Sequence, residues 1–98
     1  MDRSFEWLSP EEKVKRLPIS TVRVLDVIRK NWPTNPLEVA EALKDRGKEK
    51  SLSAKYLYHF KKLYKLKLIR MKKIGNTYIA WPTEIEELRV MRNILKGV

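Results

Sequence analysis

The fold is decided by residues 52–81, which read LSAKYLYHFKKLYKLKLIRMKKIGNTYIAW. In the first half of this stretch, apolar residues recur every three or four positions, which is the spacing of one helix face and predicts a helix over about 51–66. The second half contains two β-prone runs, LIRMKKI and TYIAWP, joined by Gly75-Asn76. This dipeptide favours a two-residue hairpin turn. The stretch therefore predicts a helix followed by a two-stranded hairpin.

The position of the turn also predicts the register of the hairpin. With Gly75 and Asn76 in the turn, three cross-strand pairs are expected: Ile74 with Thr77, Lys72 with Ile79, and Arg70 with Trp81. The last pair would let the Arg70 guanidinium stack on the Trp81 ring.

Helix start and stop signals surround this stretch. Residues able to accept hydrogen bonds from free helix amides mark four expected helix starts: Ser9, Ser20, Asn35, and Ser51 or Ser53. Prolines and a glycine mark the expected ends of the first three helices: Pro18, Pro33 and Gly47. The run Thr83 to Glu86 has the pattern of a capping box and predicts a last helix with Leu88, Met91 and Leu95 on one side.

These elements predict one domain over residues 1–98. A core is expected over 20–82, with an N-terminal extension over 1–17 and a C-terminal helix over 83–98. The chain is too short for a separate catalytic domain.

The positive charge is concentrated in one segment. The chain has 22 basic and 12 acidic residues, a formal net charge of +10. Twelve of the basic residues and two of the acids lie between Lys44 and Lys73, so this segment carries the whole net charge. From Lys50 onward the segment contains no acid. The alternative is a solvated cationic face, but the segregation of the charges favours a polyanionic partner.

The order of three helices, a hairpin and a further helix resembles the winged helix-turn-helix superfamily. The likeness is greatest to small bacterial and archaeal regulators of the ArsR, MarR and PadR kind, and it covers about Ser20 to Pro82. It rests on the sequence HFKKL at 59–63, followed by LIR at 68–70. Many relatives have glycine where this chain has Lys67. The resemblance implies a mostly α fold with a small β-hairpin, an α+β class, with N- and C-terminal extension helices.

The resemblance also implies double-stranded DNA binding by a transcriptional regulator. The helix at about 51–66 would enter the major groove, and the basic wing at 68–82 would lie on the backbone or minor groove. The expected contacts from the helix are Ser53, Lys55, Tyr58, His59, Lys61 and Lys62. The expected contacts from the wing are Arg70, Lys72, Lys73, Asn76 and Thr77. Because the helix set contains no Arg, Asn or Gln, we expect modest base specificity, with much of the affinity from phosphates and DNA shape.

Other functions have little support in the composition. One histidine, no cysteine and no glycine-rich phosphate loop argue against an enzyme, a metal site or a cofactor. No apolar run has the length of a membrane span, so we expect no membrane partner and a cytoplasmic, nucleoid-associated protein. The absence of Cys and Gln beside many Lys, Arg and Glu is a bias of hyperthermophiles.

Two alternatives share the expected fold. One is a protein-interaction or assembly module, and the other is a sequence-indifferent chromatin protein. We also expect a homodimer formed through the terminal helices, because Phe5, Trp7 and Leu8 at one end, and Leu88, Met91 and Leu95 at the other, exceed what a small core can bury.

Overall fold

The protein has five helices and one hairpin in the part of the chain described by its computed structural model, residues 7–96 without the side chains of 87–93. The elements are α1 (Pro10–Lys15), α2 (Ile19–Asn31), α3 (Pro36–Ala42), α4 (Glu49–Lys65), β1 (Ile69–Ile74), β2 (Thr77–Pro82) and α5 (Thr83–Lys96). The expected α+β class, mostly helical with an antiparallel two-stranded hairpin, is confirmed.

The core forms where α2, α3 and α4 meet the hairpin. Val24 and Ile28 of α2, Val39 of α3, and Phe60 and Leu63 of α4 have no solvent exposure. The hairpin closes this core with the buried residues Ile69 and Ala80. Burying each large apolar side chain stabilises the fold by about 1.5–3 kcal/mol, so the apolar stripe of α4 fixes which face of that helix turns outward.

Two of the expected helix starts are confirmed, and two are wrong. The Ser9 hydroxyl accepts from the Glu12 amide at 3.3 Å, and the Asn35 side chain accepts from the Glu38 amide at 2.9 Å. In contrast, α2 begins at Ile19 and places Ser20 inside the helix, because the Pro18 carbonyl already accepts from the third and fourth amides.

The start of α4 also lies upstream of the expected serines. Lys48 precedes the helix, and its carbonyl accepts from the Leu52 amide at 3.0 Å. Glu49 then occupies the first turn, where a carboxylate is favoured by the helix dipole. Ser51 and Ser53 are therefore helical residues and cap nothing.

The ends of α3 and α4 share one backbone arrangement. Lys44 and Lys67 follow the respective C-caps with φ of 58° and 61°, in the left-handed region that favours glycine. The amide after each lysine donates back to a helix carbonyl, Asp45 to Ala40 at 2.9 Å and Leu68 to Leu63 at 3.1 Å. The amide of each lysine donates as well, Lys44 to Glu41 and Lys67 to Tyr64, both at 3.0 Å. The two hydrogen bonds at each helix end form a Schellman motif. The expectation that Gly47 closes α3 is wrong, because the helix has already ended at Ala42.

The expected hairpin register is confirmed in full. The strands pair Ile74 with Thr77, Lys72 with Ile79, and Arg70 with Trp81. Gly75 takes the turn position with φ of 59°. An isolated bridge joins Thr34 to Ala80, with amide-to-carbonyl distances of 3.1 and 2.8 Å. This bridge ties β2 to the connection between α2 and α3, so the hairpin is held against the helices.

The terminal helices attach at the end of α4. Lys13 of α1 donates to the Leu66 carbonyl at 3.0 Å, and Val14 and Leu17 pack against the core. At the start of α5, the Thr83 hydroxyl donates to the Lys67 carbonyl at 2.9 Å. No helix in the described part of the chain is long and apolar enough to cross a membrane.

The expected capping box at α5 is wrong. The Thr83 amide donates to the Leu68 carbonyl at 3.3 Å, and Glu86 binds Trp81 and Arg70. The residue before β1 has therefore taken the Thr83 amide, and the two strands have taken the Glu86 carboxylate, which are the two groups that the local motif would join.

The left-handed lysine after α4 generates a stability prediction. Lys67→Gly removes a strain of about 1–2 kcal/mol. It also raises the conformational entropy of the unfolded chain, which lowers stability by about 0.4–1 kcal/mol. We therefore expect a net gain of about 0.5–1 kcal/mol in the free energy of unfolding. Urea unfolding of the variant and the wild type measures this difference.

The matched control is Lys61→Gly, in the exposed middle of α4, which should cost about 1 kcal/mol. A loss of stability in Lys67→Gly would contradict the strain argument.

Candidate nucleic-acid interface

The outward face of α4 is polar and cationic along its length. Tyr58 is 64% exposed, and Lys61 and Lys65 are exposed, whereas Phe60 and Leu63 are fully buried. Lys62 is half-buried at the border of this face. The helix therefore separates an apolar side, which holds the core, from a side available to a partner.

Lys55 is not free on this face. Its Nζ donates to Asp45 Oδ2 at 2.7 Å, and the Tyr56 hydroxyl donates to the same oxygen at 2.8 Å. The hydrogen bond from Lys55, and then that from Tyr56, lower the pKa of the Asp45 carboxyl. Burial, and then the Asp45 hydrogen bond, raise the pKa of Tyr56 to about 12. This group joins the end of α3 to α4 and neutralises one expected DNA contact.

His59 is also engaged within the fold. A hydrogen bond of 3.1 Å joins its Nδ1 to Oγ1 of the buried Thr21 on α2. Burial, followed by repulsion from Lys62 and Lys55, lowers the pKa of His59. The ring packs edge-on against Tyr58, with ring centres 5.7 Å apart. The lowered pKa favours the neutral form of His59, and one of its ring nitrogens is already bonded to α2.

The remaining helix contacts keep their side chains available. Lys61 and Lys62 form no ion pair with any residue whose side chain the structure describes. Ser53 is half-buried in the N-terminal half of the helix. The side chains of the expected reading surface that have no hydrogen bond or ion pair within the described fold are therefore those of Ser53, Tyr58, Lys61 and Lys62.

In the hairpin, the base of the expected wing is held by an acid. Arg70 Nε lies 3.1 Å from Glu86 Oε2, and Trp81 Nε1 donates to Glu86 Oε1 at 3.3 Å. The expected stacking of Arg70 on Trp81 is therefore replaced by a shared contact with Glu86. One carboxylate thus satisfies both donors at once.

The tip of the hairpin is free. Lys72, Lys73 and Asn76 are exposed, and Thr77 is half-buried. Neither lysine has an ion pair with a described side chain. Because adjacent strand residues point to opposite faces, Lys72 shares a face with Arg70, whereas Lys73 shares the face of Met71, which packs against the core.

The structure adds residues that the sequence pattern missed. Arg23 of α2 and Lys44 line a cavity of about 370 Å³ beside the N-terminal half of α4, together with Asp45, Lys55 and His59. Helix periodicity places Arg23 on the exposed side of α2, but no local signal brings α2 next to Lys44. Only the packing of α2 on α4 shows this proximity.

A second cavity, of about 610 Å³, lies at the other end of α4 and is lined by Lys65, Lys67, Arg70 and Thr83 among others. Both cavities are cationic, and among the described residues no three His, Asp or Glu side chains cluster as metal ligands. Comparison with protein-family models, curated proteins and solved structures finds no match to this chain.

The environment of His59 generates a pH prediction. Its pKa is lower in the folded protein than the ordinary 6.5, so the unfolded chain takes up more protons as the pH falls. Stability should therefore be full above pH 6.5 and should decrease as the pH drops from 6.5 toward the folded pKa. Thermal unfolding across this interval measures the effect.

His59→Gln keeps a polar group near Thr21 and removes the titration, so its melting temperature should stay flat over the same interval. Because His59 is the only histidine, an equal decrease in the variant would contradict this assignment.

Proposed function

We propose that the protein binds double-stranded DNA as a winged helix-turn-helix, with α4 in the major groove and the hairpin against the backbone. The observation that carries the proposal is the set of four lysines without an internal ion pair among the described side chains: Lys61, Lys62, Lys72 and Lys73. They lie on the two elements that this docking mode uses. Cations without an internal partner are suited to replace the counterions of a phosphate backbone.

The geometry of α4 supports this docking. It is a helix of 17 residues with one face buried, and a helix fits the roughly 12 Å width of the major groove. The Thr34–Ala80 bridge fixes the hairpin relative to α2 and α3, so its cationic tip is presented in a defined position. A rigid pair of elements costs less ordering entropy on binding than two mobile loops.

Some of the expected DNA contacts of α4 are already bonded within the fold, which favours phosphate binding over base reading. Lys55 is paired with Asp45, and His59 is bonded to Thr21, so among the expected contacts from Ser53 to His59 only Ser53 and Tyr58 are uncommitted. Neither can form the bidentate contacts that discriminate bases most strongly. A regulator with modest base specificity and a sequence-indifferent chromatin protein both fit this pattern. Footprinting upstream of the protein's own gene separates them, since a regulator protects a defined site.

The lysines generate a prediction for DNA affinity. If each protomer neutralises roughly four to six phosphates, log K should fall with log salt with a slope near −0.9 per phosphate. Lys72→Ala should weaken binding to all duplex sequences equally and flatten the slope by about one. Fluorescence anisotropy over a series of NaCl concentrations measures both quantities.

Lys30→Ala is the matched control, because Lys30 lies at the far end of α2 and is paired with Asp26. Its slope should equal that of the wild type. Salt-independent binding by the wild type would overturn the proposal, and binding of protein partners without any DNA binding would favour the assembly module.

We further propose a homodimer through α5. Ile94 and Leu95 are 62% and 71% exposed, and an apolar groove of about 240 Å³, lined by Trp32, Trp81 and Ile85, lies at the start of the same helix. An antiparallel α5 pair related by a twofold axis near residue 90 would set Leu95 of each copy against the groove of the other. Trp32 is 45% exposed at this groove. Phe5, Leu88 and Met91 lie outside the described side chains, and Trp7 is 89% exposed.

The dimer generates its own prediction. Leu95→Glu puts a charge in the apolar contact and should give a folded monomer with weaker DNA binding. Lys96→Glu, the neighbouring exposed position, should remain dimeric. Sedimentation measures the state of each. A wild type that sediments as a monomer at micromolar concentration would contradict the dimer.

A further inference from the structure

Arg23 and Lys44 stand apart from the other cations beside α4, because they belong to different elements and meet at one cavity. Arg23 comes from the second turn of α2, and Lys44 from the turn that ends α3. The side chains of both lack an ion pair or hydrogen bond to any described side chain. The cavity that they line has a volume of about 370 Å³, which is ample for a phosphate group.

The other charges at the cavity are already balanced. Asp45 accepts from Lys55 and from the Tyr56 hydroxyl through one oxygen, so this carboxylate and this lysine compensate each other. His59 is bonded to Thr21 and adds no charge. The excess charge at the cavity is therefore that of Arg23 and Lys44, and it has no counterpart within the described residues.

The backbone at Lys44 has a conformation that is strained for a residue with a side chain. Its φ of 58° is one that glycine adopts without strain, and a residue with a side chain pays for it. Helix-ending turns of this type usually have glycine. At Lys44 the residue that stands in place of glycine brings a cation to the cavity.

The surroundings suit an oxyanion. Ser20, in the first turn of α2, also lines the cavity, and α2 has no side-chain cap at its N-terminus. The positive end of the helix dipole therefore adds to the two cations. The adjoining half of α4 is the half that reaches into the groove in helix-turn-helix docking, so one DNA strand would pass the mouth of the cavity.

From these observations we infer that Arg23 and Lys44 form a phosphate-binding site at the α2–α4 cavity, whose ligand in the assembled complex is a backbone phosphate of DNA. The choice of DNA as the source of the phosphate rests on the proposed function. The site itself rests on the cavity and its two unpaired cations, and a free phosphate group has the same chemistry.

The variants follow from the structure. Arg23→Ala removes one cation, and Arg23→Lys keeps it. Lys44→Gly removes the other cation and suits the backbone at that position, so the protein should stay folded. Lys30→Ala, two turns further along α2 from Arg23, is the matched control for loss of charge. Thermal unfolding confirms the fold of each.

The first arm measures binding of the full chain to a random-sequence duplex over a series of NaCl concentrations. Arg23→Ala and Lys44→Gly should each reduce the steepness of the salt dependence by about 0.9, and the double variant by about twice that. Arg23→Lys and Lys30→Ala should retain the slope of the wild type. This result supports the site with DNA as its ligand.

The second arm measures the melting temperature in inorganic phosphate against NaCl of equal ionic strength, without DNA. A rise in the wild type that Arg23→Ala and Lys44→Gly abolish supports the site with a free phosphate as its ligand. Unchanged slopes together with no phosphate-dependent rise would overturn the inference. If the wild type binds no DNA at all, the proposed function fails, and the second arm alone decides the site.

Discussion

The burial of the apolar stripe of α4 is the constraint on which the rest of the molecule depends. Phe60 and Leu63 are fully enclosed, and α4 is the element that α2, α3 and β1 all contact. A lysine turned into that core would leave a charge without solvent, at a cost far above the 1.5–3 kcal/mol gained by burying one large apolar side chain. The phase of the helix is therefore set by its apolar residues. The cationic outer face follows from this phase, and among the described side chains its ion pair is that of Lys55 with Asp45.

The ends of the helices impose the second constraint, because they direct the chain toward α4 and then away from it. At Lys44 the chain turns so that Asp45 reaches Lys55 and Tyr56, and at Lys67 it turns into β1. Both turns have lysine at the left-handed position where sequence patterns associate glycine with a helix end, which explains why Gly47 was the expected end of α3. A strain of about 1–2 kcal/mol at each lysine is small beside the burial of the core that the two turns make possible. The backbone hydrogen bonds that close the turns do not depend on the side chain.

Local sequence patterns correctly predicted the features whose interacting residues are close together in the sequence. The hairpin register follows from the Gly75-Asn76 turn, and the Asn35 cap acts on an amide three residues away. The expected capping box of α5 fails because its carboxylate has competing partners elsewhere. Glu86 has the spacing of a capping residue, but it is bound by Arg70 and Trp81 from the adjoining strands. A charge-assisted contact with two donors outweighs a single backbone amide, so the local motif is overridden.

The candidate interface likewise has features that local sequence predicts and features that it does not. The exposure of Tyr58 and Lys61 could be predicted from helix phase, because it depends only on periodicity within one element. The pairing of Lys55 with Asp45 and of His59 with Thr21 could not be predicted, since the second pair spans 38 residues of sequence and forms only when α2 packs on α4. These internal contacts have a functional consequence. A side chain already bonded within the fold must break that bond before it can read a base, whereas a free lysine meets a phosphate at no such cost. In the proposed DNA complex, affinity would therefore come chiefly from the phosphates, and specificity from the DNA shape and the few free groups of α4.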